Sequence, residues 1–193
     1  MLGLREGHKL LDIGCGSLRG GRFFIPYLNP GNYFGVEPNT WLVYEGMENE
    51  LGPSIQAIKE PKFHDTSDFE FGWFREKFDF VIAQSIFSHT PPKLLTKCLR
   101  NLRAVTHADT IFAFTYFPGD NSYSQSSEWI ADGKVVSYNR YSFPGYVNKE
   151  GWFMRELKLK HPSGQIWCVA VTDVAIIELI NRRLKRWSGQ IYQ

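Results

Sequence analysis

The stretch "HKLLDIGCGSLRGG", residues 8–21, decides the reading of this chain. An apolar run stops at Asp12, and four glycines then fall within the eight positions 14–21. Glycine has no side chain to bury, so such a loop contributes nothing to a core. It lets the backbone take unusual dihedrals and come close to a ligand instead. The run before it, "HKLLDI", reads as a buried strand. A strand that ends in a glycine loop and leads into a helix is the ligand-binding corner of a doubly wound sheet.

Working outward, "GRFFIPYL" (21–28) reads as a short helix, with Pro26 near its first turn or kinking it. "NPGN" is a turn, and "YFGVEP" (33–38) is a second buried strand ending in an acid. Asn39 or Thr40 caps a helix over "TWLVYEGMENELG", which Gly52 and Pro53 close. Residues 54–64 read equally as a helix end or as a short strand near Phe63. "KFDFVIAQSIF" (77–87) reads as the central strand. "PKLLTKCLRNLRAV" (92–105) places apolar residues at 94, 95, 98, 99, 102 and 105, the spacing of an amphipathic helix. "TIFAFTYF" (110–117) is a further strand.

Nearly continuous apolar strands alternating with helices imply an α/β fold with a mostly parallel sheet covered on both faces. Residues 118–150 break the pattern. They are rich in Gly, Ser, Asn and Tyr, and read as a long functional loop over a substrate pocket. "FMRELKLKH" (153–161) and "QIWCVAVTD" (165–173) flank "PSG" and read as an antiparallel hairpin with a short turn.

One domain is expected over residues 1–173, with a helical tail over 174–193. The tail sets Val174, Ile177, Leu184 and Trp187 near one face and Arg182, Arg183, Lys185 and Arg186 largely elsewhere. It reads first as a helix packed on the domain; a membrane-surface or partner helix is the alternative. The chain enters its first strand almost at once, which fits an architecture with one or more helices ahead of it.

Bulk composition narrows the function. A chain of 193 residues with 43% hydrophobic and 22% charged residues suits one globular domain. The net charge of +2 gives no coat for nucleic acid. No apolar run is long enough to span a bilayer, and no secretory signal is recognisable. Cys15, Cys98 and Cys168 are scattered and odd in number, so a reducing, cytoplasmic setting is expected. The five histidines show no H-x-x-x-H spacing, and no metal is expected.

Glu37 follows Gly16 by 21 positions, at the end of the second strand. An acid there can accept from both hydroxyls of a ribose. A dinucleotide fold wants G-x-G-x-x-G, because its pyrophosphate rests on the helix N-terminus. Here the spacing is G-x-G-x-x-x-G, and Asp12 lies two residues before the first glycine. An anion beside the loop repels a pyrophosphate and attracts a cationic ligand.

"LLDIGCGSLRGG" followed by "FGVEPN" resembles the class I S-adenosylmethionine-dependent methyltransferases, and "FDFVIAQSIFSH" resembles their fourth-strand motif. The resemblance implies a Rossmann-like, seven-stranded sheet with a terminal antiparallel hairpin, and S-adenosyl-L-methionine as cofactor. It implies that Asp12, Gly14, Cys15, Gly16 and Ser17 shape the methionine end of the pocket. Glu37 would hold the ribose, with Pro38 and Asn39 beside it. Asp68 and Phe69 would serve the adenine, with Asp65 as competitor for the carboxylate. Gln84 and Ser85 would face the cofactor's amino-acid portion.

Ser17 also offers a cap for the helix that follows the loop. His89, just after the fourth strand, and Tyr116, ending the fifth, are the candidate catalytic groups. His89 has the chemistry to take a proton from an acceptor. The leading expectation is a methyltransferase acting on a small polar or aromatic molecule. A non-catalytic S-adenosylmethionine-binding domain and an NAD(P)-dependent oxidoreductase are the alternatives.

Overall fold

The computed structural model describes residues 2–188. β1 (Leu10–Ile13), β2 (Tyr33–Val36), β3 (Lys62–His64), β4 (Phe78–Ala83) and β5 (Thr106–Pro118) pair in parallel in the order β3-β2-β1-β4-β5. β8 (Ile166–Val171) then pairs antiparallel with β5, and β7 (Phe153–Glu156) antiparallel with β8. A two-residue strand, β6 (Ser137–Tyr138), pairs with the end of β5 outside this path. This is the mostly parallel α/β sheet with an antiparallel end that the sequence implies.

The neighbours of β1 are β2 on one side and β4 on the other, so the winding reverses there. In such sheets the crevice opens beyond the carboxyl ends of those strands.

Strand parity divides the core into two layers. Leu11, Ile13, Phe34 and Val36 face one side, where α4 (Pro92–Ala104) buries Leu95, Cys98, Leu99 and Leu102. That spacing is the stripe read from the sequence, and each buried leucine is worth about 1.5–3 kcal/mol. Leu10 and Tyr33 face the other side, beneath α1 (Gly21–Tyr27) and α2 (Thr40–Gly46). Asp12 shares the parity of Leu10, which brings it to the Tyr33 hydroxyl at 2.7 Å.

Several boundaries differ from expectation. Pro26 sits in the last turn of α1, where a missing N–H costs little at the end of so short a helix. The helix after β2 passes into a π-helical turn (Met47–Leu51), and Pro53 opens α3 (Pro53–Lys59) as its N1 residue. Residues 54–64 therefore hold both a helix and a strand. β4 ends at Ala83, so "QSIF" is a turn rather than strand, and Ser85 takes φ 60° there. The β7–β8 connection runs from residue 157 to 165 and is longer than the "PSG" turn.

The 118–150 segment is not one loop. Its second half forms β6 and α5 (Phe143–Lys149), with Tyr138, Phe143 and Val147 fully buried. Only the stretch between β5 and β6 is left to cover a pocket. α6 (Val174–Ser188) packs on β7 and β8, burying Ile180, with Ile176, Ile177 and Leu184 against the same layer. Val174, by contrast, is exposed. The expectations placed on the side chains of Lys185, Arg186 and Trp187, and on residues 189–193, lie outside the described residues. Among the described residues, no helix is long and apolar enough to cross a membrane.

Candidate functional site

The glycine loop is built by close approach. Gly14 takes φ 67°, and a Cβ there would lie 2.0 Å from Ile86 Cδ1. Gly14 N–H and Cys15 N–H both donate to the Val36 carbonyl, which hangs the loop from the end of β2. Gly16 takes φ 52°, and a Cβ on it would stand in open space. A Cβ on Gly46 would meet the Ser17 carbonyl at 2.4 Å, so α2 packs directly against the loop backbone. Ser17 does not cap α1: the N-cap is Gly20, with no side-chain bond. The Cys15 thiol points toward Gly35, burial pushes its pKa up, and the residue lines the larger of the two cavities that meet at this loop.

Glu37 closes the loop from the opposite side. Its Oε2 accepts from Gly16 N–H at 3.1 Å, and its Oε1 accepts from Asn39 N–H at 2.9 Å. Glu37 is 8% exposed, and it lines a cavity of about 390 Å³. That cavity runs from Gly14 past Glu37, Pro38 and Asn39 to Phe69, with Ile86 and His89 on its wall. A second cavity of about 640 Å³ shares Gly14. It contains Asp12, Gly16 and Ser17 on one side and Gln84 and Ser85 on the other. The two cavities meet at the glycine loop, and together they form one crevice over the carboxyl ends of β1 and β4.

Asp12 is 7% exposed, and its pKa is pushed up to about 6. Burial is the main cause; the Tyr33 hydroxyl bond opposes it, and the nearby Glu37 charge adds to it. Two acids thus lie close together at the loop, an arrangement that a cation relieves.

The structure places Asp68 and Tyr116 outside both cavities. Asp68 points to solvent, with its side chain 71% exposed and 3.5 Å from Lys97. Its competitor Asp65 is also solvated. Neither lines the cavity; Thr66, Ser67 and Phe69 do. Tyr116 is fully buried, stacked on Phe143 at 4.0 Å, and donates to Glu156 Oε1 at 2.9 Å. It touches neither cavity.

His89 does reach the crevice. Its Nδ1 lies 2.9 Å from the Ile130 carbonyl, which only accepts, so Nδ1 carries the proton. In the neutral ring this leaves Nε2 as an acceptor. The Ile130 N–H returns a bond to the His89 carbonyl at 2.9 Å. Trp129 adds a second tie, its indole N–H donating to the Ser67 carbonyl at 3.0 Å beside the Phe69 ring. Residues 129–132 therefore roof the smaller cavity, on the Glu37 side of the crevice, and Asp132 joins its lining. Sequence reasoning placed this cover over the acceptor and missed Asp132, because nothing in its spacing links it to β2.

The loop between β7 and β8 supplies the last wall. Gln165 bridges Thr115 Oγ1 at 2.6 Å and Ser85 Oγ at 3.0 Å, and Thr115 Oγ1 accepts from Ser85 N–H at 2.7 Å. This chain fixes the left-handed turn at Ser85. His161 lies 3.4 Å from the Gln84 amide nitrogen, and burial lowers its pKa. Sequence reasoning passed over His161 and Gln165; only the pairing of β8 with β5 brings them to the crevice.

No family model matches this sequence. Solved structures share its architecture. A magnesium protoporphyrin IX methyltransferase from Synechocystis PCC 6803, solved with bound S-adenosylmethionine, matches with 14% identity. The match covers 86% of this chain and 71% of that one, with a TM-score of 0.62. A methyltransferase from Methanosarcina mazei matches with 14% identity over 87% of this chain and 92% of that one, TM-score 0.62. DesVI from Streptomyces venezuelae matches with 13% identity over 87% and 85%, TM-score 0.63. The fold is that of the class I S-adenosylmethionine-dependent methyltransferases.

Proposed function

We propose, from a fold shared with S-adenosylmethionine-dependent methyltransferases, that this protein binds S-adenosyl-L-methionine and methylates a small molecule. One observation carries the reading. A buried carboxylate, Glu37, ends β2, is braced by the N–H of Gly16 and Asn39, and lines a cavity. Such an acid suits a ribose diol.

The residues present fit the cofactor. Glu37 would take the ribose hydroxyls, Pro38 and Phe69 would flank the base, and Asn39 would border it. Asp12 would attract the positive charge, and the open side of Gly16 leaves room beside the loop. Ser17, Gln84 and Ser85 would border the amino-acid portion.

When bound, the cofactor supplies a sulfonium methyl group: the acceptor lone pair bonds to carbon while the C–S pair stays on sulfur as a neutral thioether. The chain's own work is to hold two reactants in line, which contributes roughly 7–11 kcal/mol when the geometry is right. A proton-bearing acceptor also needs a base, and Nε2 of His89, on the wall of the smaller cavity, suits an acceptor atom that reaches that side of the crevice.

The test is incubation with methyl-labelled S-adenosylmethionine and metabolite pools. Label appearing in a small molecule supports the reading. Cofactor binding without transfer to any pool favours the non-catalytic alternative.

A further inference from the structure

Building on that reading, we propose that the part of the 640 Å³ cavity toward α1 and β8 is the acceptor site and that it takes an aromatic carboxylate, its ring between the α1 and β8 aromatics and its acid group on Arg19. The Gly16, Ser17, Gln84 and Ser85 side of this cavity borders the cofactor's amino-acid portion, which leaves the side toward Phe23, Phe24 and Trp167 for an acceptor. Beyond the glycine loop its walls are rings from two separate elements: Phe23 and Phe24 on α1, and Trp167 on β8. Phe23 is 67% exposed, with the Arg22 guanidinium 4.9 Å from its ring centroid. Ring pairs of this kind receive flat apolar bodies.

Charge then selects among flat molecules. Asp12 lies deep and is already bonded to Tyr33. Arg19 lies exposed at the rim, is the one permanent cation among the described residues lining the cavity, and makes no ion pair among them. A guanidinium fork matches a carboxylate in two parallel bonds. His161 Nδ1 accepts from the Ser163 N–H at 3.3 Å, and its Nε2 lies 3.4 Å from the Gln84 amide nitrogen. A single cation beside neutral polar groups fits a singly charged acid better than a doubly charged phosphate.

The experiment is titration calorimetry on protein saturated with S-adenosylhomocysteine. One series is benzoate, phenylacetate and indole-3-acetate; the other is benzamide, benzylamine and acetate. The aromatic acids are expected to bind about tenfold or more tightly than the second series. Arg19→Gln is expected to reduce benzoate to the level of benzamide, and Phe23→Ala to weaken every aromatic acid, with S-adenosylhomocysteine affinity within about twofold of wild type in both. Three results overturn the proposal: benzamide or benzylamine binding as well as benzoate, no acid binding at all, or Arg19→Gln costing S-adenosylhomocysteine about tenfold. The last would assign Arg19 to the cofactor's own carboxylate. Failure of the wild type to bind S-adenosylhomocysteine contradicts the functional reading itself.

Discussion

Gly16 and Glu37, 21 positions apart, are joined by a 3.1 Å hydrogen bond from the Gly16 N–H to Glu37 Oε2. This bond ties the loop after β1 to the end of β2, and Asn39 N–H holds the other oxygen. Glu37→Ala removes the ribose acceptor and leaves two N–H groups without a protein partner. S-adenosylhomocysteine affinity is expected to fall by about tenfold or more, read by calorimetry. Unchanged affinity would show that the ribose lies elsewhere.

The two loop glycines are expected to fail differently. Gly14→Ala puts a Cβ 2.0 Å from Ile86 Cδ1 at a positive φ, and costs stability by about 3 kcal/mol in denaturant unfolding. Gly16→Ala has open space, so its folding cost is about 1 kcal/mol, while its methyl narrows the cavity edge and weakens cofactor binding. Equal stability losses would contradict the loop geometry.

Asp12 sets a pH dependence whose sign is opposite to that of an ion-paired acid. Its folded pKa, about 6, lies above its ordinary value, so the folded state holds the proton more tightly. Asp12 therefore weakens stability as pH rises from about 4 to about 6, with a cost of about 2–3 kcal/mol at neutral pH. Asp12→Asn keeps an acceptor for Tyr33 and removes the charge. The variant should be more stable than wild type at pH 7 and equal to it near pH 4, while binding S-adenosylhomocysteine less well. A variant less stable at pH 7 contradicts this.

The roof over the smaller cavity is expected to respond to ligand. His89→Ala removes the Nδ1–H bond to the Ile130 carbonyl, so amide exchange over 129–132 should quicken roughly fivefold, for about 1 kcal/mol of local opening. S-adenosylhomocysteine should slow exchange there in the wild type. Indifference of this segment to the ligand would remove its role as a cover.

Tyr116→Phe tests the exclusion of that residue from the site. Glu156 keeps its ion pair with Arg140, so the loss is about 1 kcal/mol of stability. S-adenosylhomocysteine binding should not change.

What the sequence disclosed follows from what periodicity and spacing encode. β1, the glycine loop and Glu37 are local patterns, and the sheet order follows from alternating strands and helices. Side-chain direction in a turn is not a local pattern: Asp68 and Phe69 are adjacent, yet one meets solvent and the other the cavity. Tyr116 was legible after all. It shares strand parity with Phe112 and Phe114, both fully buried in the layer beneath α5, whereas Thr115, of opposite parity, meets Ser85. Gln165 and His161 reach the crevice only through the β5–β8 pairing, which no spacing along the chain encodes.

The central claim is that the loop after β1 and the acid ending β2 seat a sulfonium nucleoside. Calorimetric titration of the wild-type protein with S-adenosylhomocysteine and, separately, with NAD and NADP tests it most directly. The account predicts saturable one-to-one binding of S-adenosylhomocysteine, lost in Glu37→Ala, and no binding of either dinucleotide. Heat from NAD or NADP with none from S-adenosylhomocysteine would contradict it.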